Sequence, residues 1–390
     1  MSAVRKRKVV LLGSTGSIGC STLKVAARLA DRIEIVGLAA GENIERLAAQ
    51  ARETGVREVA IHDASKETAL RERLPPGVRV RVGPEGLMEL ATLAEADIVL
   101  VAIVGTAGLQ PALAAIEAGH DLAIASKEIL VMAGEIITTA AARHGVKLLP
   151  VDSEHNAIFQ CLEGHCGGAE EVSRLILTAS GGPFRKLPAA DLAQVTPAQA
   201  LQHPTWQMGP KITIDSATMI NKGLEMIEAR WLFGIGMERI AVLVHPQSIV
   251  HSMVEFRDGS VLAQLSRTDM CFPIQYALTW PDRVAGGLEA PDFAALGSLE
   301  FEEPRHEDFP ALELARQAGL AGGTLPAVFN AANEVAVEAF RAGRLSFPGI
   351  WHCVAAVMAA HEVQPSGSLD AVVAADHRAR VAATGFCGGA

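Results

Sequence analysis

The sequence predicts a chain in three parts: an α/β region on a mostly parallel sheet, an α+β region, and a small helical region at the C-terminal end. Three observations carry this reading. Over residues 8–150, short β-rich runs alternate with Ala-, Leu- and Glu-rich segments whose apolar residues recur at helical spacing. Beyond Pro150 that alternation ends, and two strand-like runs are joined by a tight turn. From about Phe309 onward the segments are Ala-rich and amphipathic.

In the first part, strands are expected at Val9–Gly13, Ile33–Ala39, Glu58–His62, Arg79–Val82, Ile98–Val101, Asp121–Ala125 and Lys147–Pro150, with helical stretches such as Ile44–Glu53 and Leu109–Ala118 between them. Alternation of this kind covers both faces of a sheet with helices and places ligands beyond the carboxyl ends of its strands. In the second part, Leu175–Thr178 reads as a strand leading into the loop Ser180-Gly181-Gly182-Pro183. One helix is expected from about Ser216 to Phe233, stopped by Gly234. Ala241–His245, Ile249–Phe256 and Val261–Ser266 read as strands, with Arg257-Asp258-Gly259 turning the last two into a hairpin. The expected boundaries are a first domain over residues 1–151, a second over 152–282, a Gly-, Pro- and acid-rich linker over 283–308, and a helical domain over 309–390.

Composition narrows the function. The chain has 390 residues, 49% hydrophobic and 20% charged, which suits a folded protein of two or three domains. A formal net charge of -10 argues against broad nucleic-acid binding, while leaving room for a local basic pocket that takes a small anion. No apolar run reaches the roughly 18 residues a membrane-spanning helix needs. The short basic stretch before Val9 is too brief for a secretory signal, so a cytoplasmic location is expected. Six cysteines are scattered; Cys161 and Cys166 lack the spacing of a zinc knuckle, and all are read as reduced thiols.

Gly13-Ser14-Thr15-Gly16-Ser17-Ile18-Gly19 follows the first strand and opens a helix. Glycines there let the backbone turn tightly and approach a pyrophosphate held at the helix N-terminus, as in a Rossmann-like domain. The spacing GxxGxxG varies the usual fingerprint, and a structural turn without a ligand is the alternative. After the second strand comes Gly41-Glu42-Asn43; Glu42 would either repel the 2′-phosphate of NADP or point into solvent.

Val151-Asp152-Ser153-Glu154-His155-Asn156 stands at a strand-to-helix junction, where two carboxylates one residue apart can aim at one point. Glu225 is a third candidate, on a helical face shared with Lys222. Converging carboxylates repel unless a cation compensates, and an all-oxygen set suits Mg²⁺ or Mn²⁺ rather than zinc. The plainer alternatives are that Asp152 caps the following helix and Glu225 is solvated.

At these residues the chain resembles the 1-deoxy-D-xylulose 5-phosphate reductoisomerases. The resemblance rests on residues 148–160, Gly13–Gly19, Ser180-Gly181-Gly182-Pro183-Phe184, His203-Pro204-Thr205-Trp206-Gln207-Met208-Gly209, Asp215–Glu225, His245-Pro246-Gln247-Ser248 and Asn330-Ala331-Ala332-Asn333-Glu334, in family order along nearly the whole chain. It implies a Rossmann-like N-terminal domain, a central α+β catalytic domain, a C-terminal helical domain and a homodimer. It implies a metal held by Asp152, Glu154 and Glu225, and a sugar phosphate held by Ser180, His203, Ser216, Asn221 and Lys222. Lys127, Ser153 and Glu154 would act at the hydroxylated carbon chain, with Lys127 and Glu154 catalytic and Trp206 in a covering lid. Thr15, Gly16, Ser17, Ile18, Gly41, Glu42, Asn43, Ser126, Glu128 and Gly209 would line an NADPH site. Two departures stand out: Ser126 replaces an expected Asn before Lys127-Glu128, and Glu42 stands where some relatives carry a basic residue. A different Rossmann-type dehydrogenase sharing only the N-terminal domain is the competing reading. His155, His245 and His251 read as buried structural histidines, and Lys211 reads equally as a solvated charge.

Overall fold

The computed structural model describes residues 5–165 and 168–388. The chain divides into two compact units, one formed by residues 1–129, 137–156 and 269–289, the other by 130–136, 157–268 and 290–390.

The first unit is built on seven strands: β1 (Arg7–Leu12), β2 (Ile33–Ala40), β3 (Glu58–Ile61), β4 (Arg79–Val82), β5 (Ile98–Val101), β6 (Asp121–Ile124) and β7 (Leu148–Pro150). Their order is β4-β3-β2-β1-β5-β6-β7, and every neighbouring pair is parallel. All seven expected strands are present, with ends shifted by no more than two residues. Val9–Leu12 of β1, Val59–Ile61 of β3 and all of β5 are apolar and buried, as expected of a parallel sheet packed under helices. Strand order reverses direction at β1 and β5, so the crevice beyond their carboxyl ends is where this architecture binds ligands. The glycine-rich loop leaves β1 at that point.

The second unit holds a four-stranded sheet of β8 (Val172–Ala179), β9 (Ile240–Val244), β10 (Val250–Phe256) and β11 (Val261–Leu265), in the order β11-β10-β8-β9. β8 and β9 run parallel, while β10 is antiparallel to both β8 and β11. The expected hairpin turn closes β10 and β11, with Gly259 at φ 86° and its N–H donating to the Phe256 carbonyl at 3.0 Å. The helices Ala311–Ala321, Leu325–Arg341, Gly349–Ala359 and Leu369–Gly388 follow. Phe329, Phe340 and Phe347 are wholly buried in this unit's core, Phe347 edge-on to Phe184, Phe340 and Trp351.

One expectation needs correction. The helix foreseen from Ser216 to Phe233 is two helices, Pro210–Ala217 and Ile220–Phe233, broken where Met219 takes a left-handed φ of 65°. Thr218 makes the break tolerable: its hydroxyl donates to the Asp215 carbonyl at 3.1 Å and accepts from the Ile220 N–H at 3.4 Å. Gly234, at φ 63°, ends the second helix as foreseen. Cys20, Cys161, Cys271, Cys353 and Cys387 are free thiols, and Cys166 lies outside the described residues.

Candidate functional site

In the first unit, Gly13 leaves β1 at φ 93°, and a Cβ there would stand 2.3 Å from the Ala102 carbonyl oxygen. A Cβ on Gly19 would stand 2.3 Å from the Gly13 oxygen and 2.4 Å from that of Ser14. Two of the three glycines are therefore demanded by close backbone approach. Gly16 precedes the helix Ser17–Arg28, whose first turn has neither a side-chain cap nor an acidic residue. Gly16 and Ser17 are exposed, Thr15 and Ile18 half-buried, so the helix's positive end is open to an anion.

Gly41, Glu42 and Asn43 are exposed at the end of β2. The Asn43 side chain accepts from the Arg46 N–H at 3.0 Å and caps the helix Ile44–Thr54. Ser126, beyond β6, is buried and donates to the Ile103 carbonyl at 2.5 Å, so its hydroxyl hydrogen serves the loop after β5. Lys127 and Glu128 are buried in the first turn of the helix Lys127–His144.

Beyond β7, Val151 leads into Asp152 and the helix Ser153–Leu162. Lys127 Nζ lies 2.8 Å from Asp152 Oδ2, and His155 Nδ1 lies 3.7 Å from Oδ1. Burial pushes the Asp152 carboxyl up, but the Lys127 ammonium and then His155 outweigh it and hold the group well below the usual carboxylate range. The Glu154 N–H donates to Asp152 Oδ1 at 3.4 Å, so Asp152 does sit at the cap position as well. Ser153 Oγ donates to Glu154 Oε2 at 2.5 Å. The result is an ionised Asp152 beside Glu154, two carboxyl groups that offer oxygen donors alone.

In the second unit, β8 runs into Ser180-Gly181-Gly182-Pro183, with Gly181 and Gly182 at φ 80° and 66°. A Cβ on Gly182 would lie 2.9 Å from Ala217 Cα, so this loop presses on the helix Pro210–Ala217. That contact gathers three polar groups. His203 Nε2 is 2.9 Å from Ser180 Oγ and 3.1 Å from Ser216 Oγ, and the two hydroxyls are 3.5 Å apart. His203 Nδ1 accepts the backbone N–H groups of Trp206 at 2.9 Å and Thr205 at 3.2 Å. The ring proton is thereby assigned to Nε2, facing the serines. Burial lowers the His203 imidazole to about 4, so it is neutral at pH 7. Two hydroxyls and an imidazole N–H converge as donors for a small oxyanion.

The helix Ile220–Phe233 carries Asn221, Lys222 and Glu225. Asn221 Nδ2 donates to Glu225 Oε1 at 2.5 Å, and Lys222 Nζ is 2.5 Å from Oε2. Glu225 is 1% exposed, so the solvated alternative fails and the shared helical face is real. Trp206 is half-buried with its ring 6.2 Å from that of His251, and Gly209, exposed, precedes the helix Pro210–Ala217.

Other histidines have structural partners. His245 is wholly buried, its Nδ1 2.7 Å from the Glu300 carbonyl, and stacks on Phe301. His251 Nε2 is 3.3 Å from the Ser266 carbonyl, and burial lowers its imidazole to about 4. Lys211 pairs with buried Asp215 at 2.9 Å rather than standing in solvent. Asp215 also accepts from Asn333 Nδ2 at 2.9 Å, a partner that sequence spacing does not reveal.

Three family models match in succession. Residues 9–134 match 1-deoxy-D-xylulose 5-phosphate reductoisomerase, residues 148–233 its C-terminal domain, and residues 265–382 a further DXP reductoisomerase C-terminal domain. The 1-deoxy-D-xylulose 5-phosphate reductoisomerase of Symbiobacterium thermophilum is 53% identical over 383 residues, covering 97% of this chain and 98% of that protein. Its namesake from Chlorobium chlorochromatii is 53% identical over 381 residues, 97% of this chain and 99% of that protein. Among solved structures, the Zymomonas mobilis reductoisomerase in complex with NADPH superposes with a TM-score of 0.92 at 46% identity, covering 98% of this chain and 99% of that one. A DOX-P reductoisomerase in complex with NADPH, fosmidomycin and magnesium gives 0.91 at 38% identity, covering 98% of each chain.

Proposed function

From the premise that this chain belongs to the 1-deoxy-D-xylulose 5-phosphate reductoisomerase family, we propose the assignment of its residues to that family's reaction. The enzyme rearranges and reduces 1-deoxy-D-xylulose 5-phosphate to 2-C-methyl-D-erythritol 4-phosphate with NADPH, in the non-mevalonate route to isoprenoid precursors. The observation that carries this is the match along 97% of the chain. A dehydrogenase sharing only the dinucleotide-binding domain would not match beyond it.

Asp152, Glu154 and Glu225 are assigned to one divalent cation, Mg²⁺ or Mn²⁺. The donor set fits: all three offer oxygen alone, which hard cations prefer, and Lys127 keeps Asp152 ionised. When bound, the cation supplies Lewis-acid stabilisation to the substrate's carbonyl and neighbouring hydroxyl oxygens, and NADPH supplies hydride. The carbon skeleton is rearranged by retro-aldol and aldol steps, with an α-ketol shift as the alternative route, before reduction of the branched aldehyde.

The chain's own groups then bind and orient. Ser180, His203, Ser216, Asn221 and Lys222 take the phosphate, which does not react and so can spend its contacts on orientation. The neutral imidazole N–H of His203 and the hydroxyls beside it are donors of the right kind. Lys127 and Ser153 meet the hydroxylated carbons, where the Lys127 ammonium balances charge on reacting oxygens or moves a proton. Trp206 covers the substrate and excludes water. Thr15, Gly16, Ser17, Ile18, Gly41, Glu42, Asn43, Ser126, Glu128 and Gly209 are assigned to NADPH, with the pyrophosphate at the open helix N-terminus. NADPH is preferred over NADH despite Glu42.

A homodimer in the cytoplasm completes the reading. β11 is an edge strand whose Val261 and Leu262 are 48% and 43% exposed, a surface that suits a second copy. No helix among the described residues is long and apolar enough to cross a membrane. Purified protein given 1-deoxy-D-xylulose 5-phosphate, NADPH and Mn²⁺ should lose nicotinamide absorbance and yield methylerythritol phosphate. Absence of that product with authentic substrate would overturn the assignment.

A further inference from the structure

The segment Asn330-Ala331-Ala332-Asn333-Glu334 has no part in the chemistry described above, yet it reaches the phosphate residues through one buried bond. It lies on the helix Leu325–Arg341, where Asn333 is 0% exposed. Asn333 Nδ2 donates to Asp215 Oδ1 at 2.9 Å. Asp215 is 1% exposed, and a carboxylate so far from water persists only when paired and hydrogen-bonded. Lys211, one turn earlier, supplies the charge at 2.9 Å, and Asn333 supplies a neutral donor from a second element.

Asp215 and Ser216 are consecutive on the helix Pro210–Ala217, so their side chains leave the axis about 100° apart. Fixing one azimuth fixes the other. Asp215 turns to Asn333, and Ser216 turns to His203 at 3.1 Å and Ser180 at 3.5 Å. The Asp215 carbonyl also takes the Thr218 hydroxyl at 3.1 Å, immediately before the left-handed Met219 that redirects the chain into the helix of Asn221 and Lys222. Asp215 thus anchors both the rotation of the first helix and the corner that leads to the second.

The far end of this anchor is itself braced. Asn330 Nδ2 donates to Glu334 Oε1 at 3.1 Å, and Glu334 Oε2 pairs with Arg380 of the helix Leu369–Gly388 at 2.5 Å. Arg380 also pairs with Asp376 at 2.8 Å. The helix that carries Asn333 is therefore held by a charge-assisted contact at the very next residue.

We propose that Asn333 and Asp215 are positioning residues for the phosphate end of the substrate, acting through Ser216 and through the corner that leads to Asn221 and Lys222. This rests on the reading that Ser180, His203, Ser216, Asn221 and Lys222 hold the phosphate.

The test uses full-length enzyme with NADPH and Mn²⁺, and compares wild type with Asn333→Asp, Asn333→Ala and the swap Asp215→Asn/Asn333→Asp. Asn333→Asp sets two carboxylates face to face; the swap restores one donor and one acceptor with the charge moved across. Removing a charge-assisted bond predicts a rise in KM for the sugar phosphate of about tenfold or more in the single variants, with kcat changed by less than about threefold. The Ki of inorganic phosphate should rise in parallel, and the swap, which restores the hydrogen bond but takes the carboxylate away from Lys211, should recover part of both. Should Asn333→Asp not fold, Asn333→Ala carries the comparison. Single variants that stay folded with KM and phosphate Ki near wild type overturn the proposal. So does a fall in kcat at unchanged KM, which a merely structural role would give. Ser216→Ala is the separate arm: if it leaves KM and phosphate Ki unchanged, the phosphate assignment itself fails, whatever Asn333 does.

Discussion

Replacing Gly19 by alanine tests whether the glycine-rich loop serves the dinucleotide. The added Cβ would stand 2.3 Å from the Gly13 oxygen and 2.4 Å from the Ser14 oxygen, both backbone atoms that cannot swing aside. Relief to ordinary contact near 3.4 Å requires the loop or the helix Ser17–Arg28 to move by about 1 Å. Overpacking of this kind costs about 1–3 kcal/mol. If the displacement falls on the loop that meets the pyrophosphate, NADPH affinity drops by roughly ten- to a hundredfold. Gly41→Ala is the companion: a Cβ there has nothing within 4 Å, so the fold gives it room. That variant should keep its thermal midpoint and still bind NADPH more weakly, because only the cofactor would fill the space. Fluorescence titration with NADPH beside thermal unfolding separates the two effects. Folded Gly19→Ala protein with wild-type NADPH affinity would refute the reasoning.

Further outcomes follow from the second unit and from the metal residues. Ser216→Ala removes one donor from the Ser180–His203–Ser216 cluster proposed for the phosphate and should raise KM for the sugar phosphate by about tenfold; steady-state kinetics decide. His251 is 5% exposed and lowered by burial to about 4, below its unfolded value near 6.5. Both states are neutral above pH 6.5, so stability there is unaffected. As pH falls from 6.5 toward 4, the unfolded chain takes up a proton that the folded chain refuses, and up to about 3 kcal/mol is lost. Urea midpoints should therefore decline across that window, and His251→Gln should flatten the decline; a variant curve parallel to wild type contradicts it. Glu154→Gln should lower kcat at least a hundredfold without changing the urea midpoint by much, and wild-type turnover in that variant would remove Glu154 from the metal set.

Most of the first unit could be read from sequence because its strands are short β-rich runs, most of them apolar and bounded by turn residues. β3, β5 and β6 were legible to within one residue. The second unit was less open to such reading. Nothing in Thr218-Met219-Ile220 marks a left-handed corner: no glycine or proline stands there, and the turn is held by the Thr218 hydroxyl. Spacing did place Lys222 and Glu225 on one face, as their 2.5 Å contact bears out. For Asp152, capping and metal binding had been set as alternatives, whereas its N-terminal position makes the cap contact and the pairing with Lys127 compatible. His203 stood out only by family resemblance, because its partners Ser180 and Ser216 lie 23 and 13 residues away. Asp215 and Asn333 both lie in segments that carry the family resemblance, but at 118 residues apart nothing in the spacing marks them as partners.

The central claim is that Asp152, Glu154 and Glu225 hold a single divalent cation, and Mn²⁺ binding followed by electron paramagnetic resonance tests it without recourse to turnover. With NADPH present, wild-type protein should bind one Mn²⁺ per chain, and Asp152→Asn, Glu154→Gln and Glu225→Gln should each weaken binding by about tenfold or more. Glu225→Gln is the decisive arm, since Glu225 comes from a different stretch of sequence. Wild-type Mn²⁺ affinity in that variant would contradict the account.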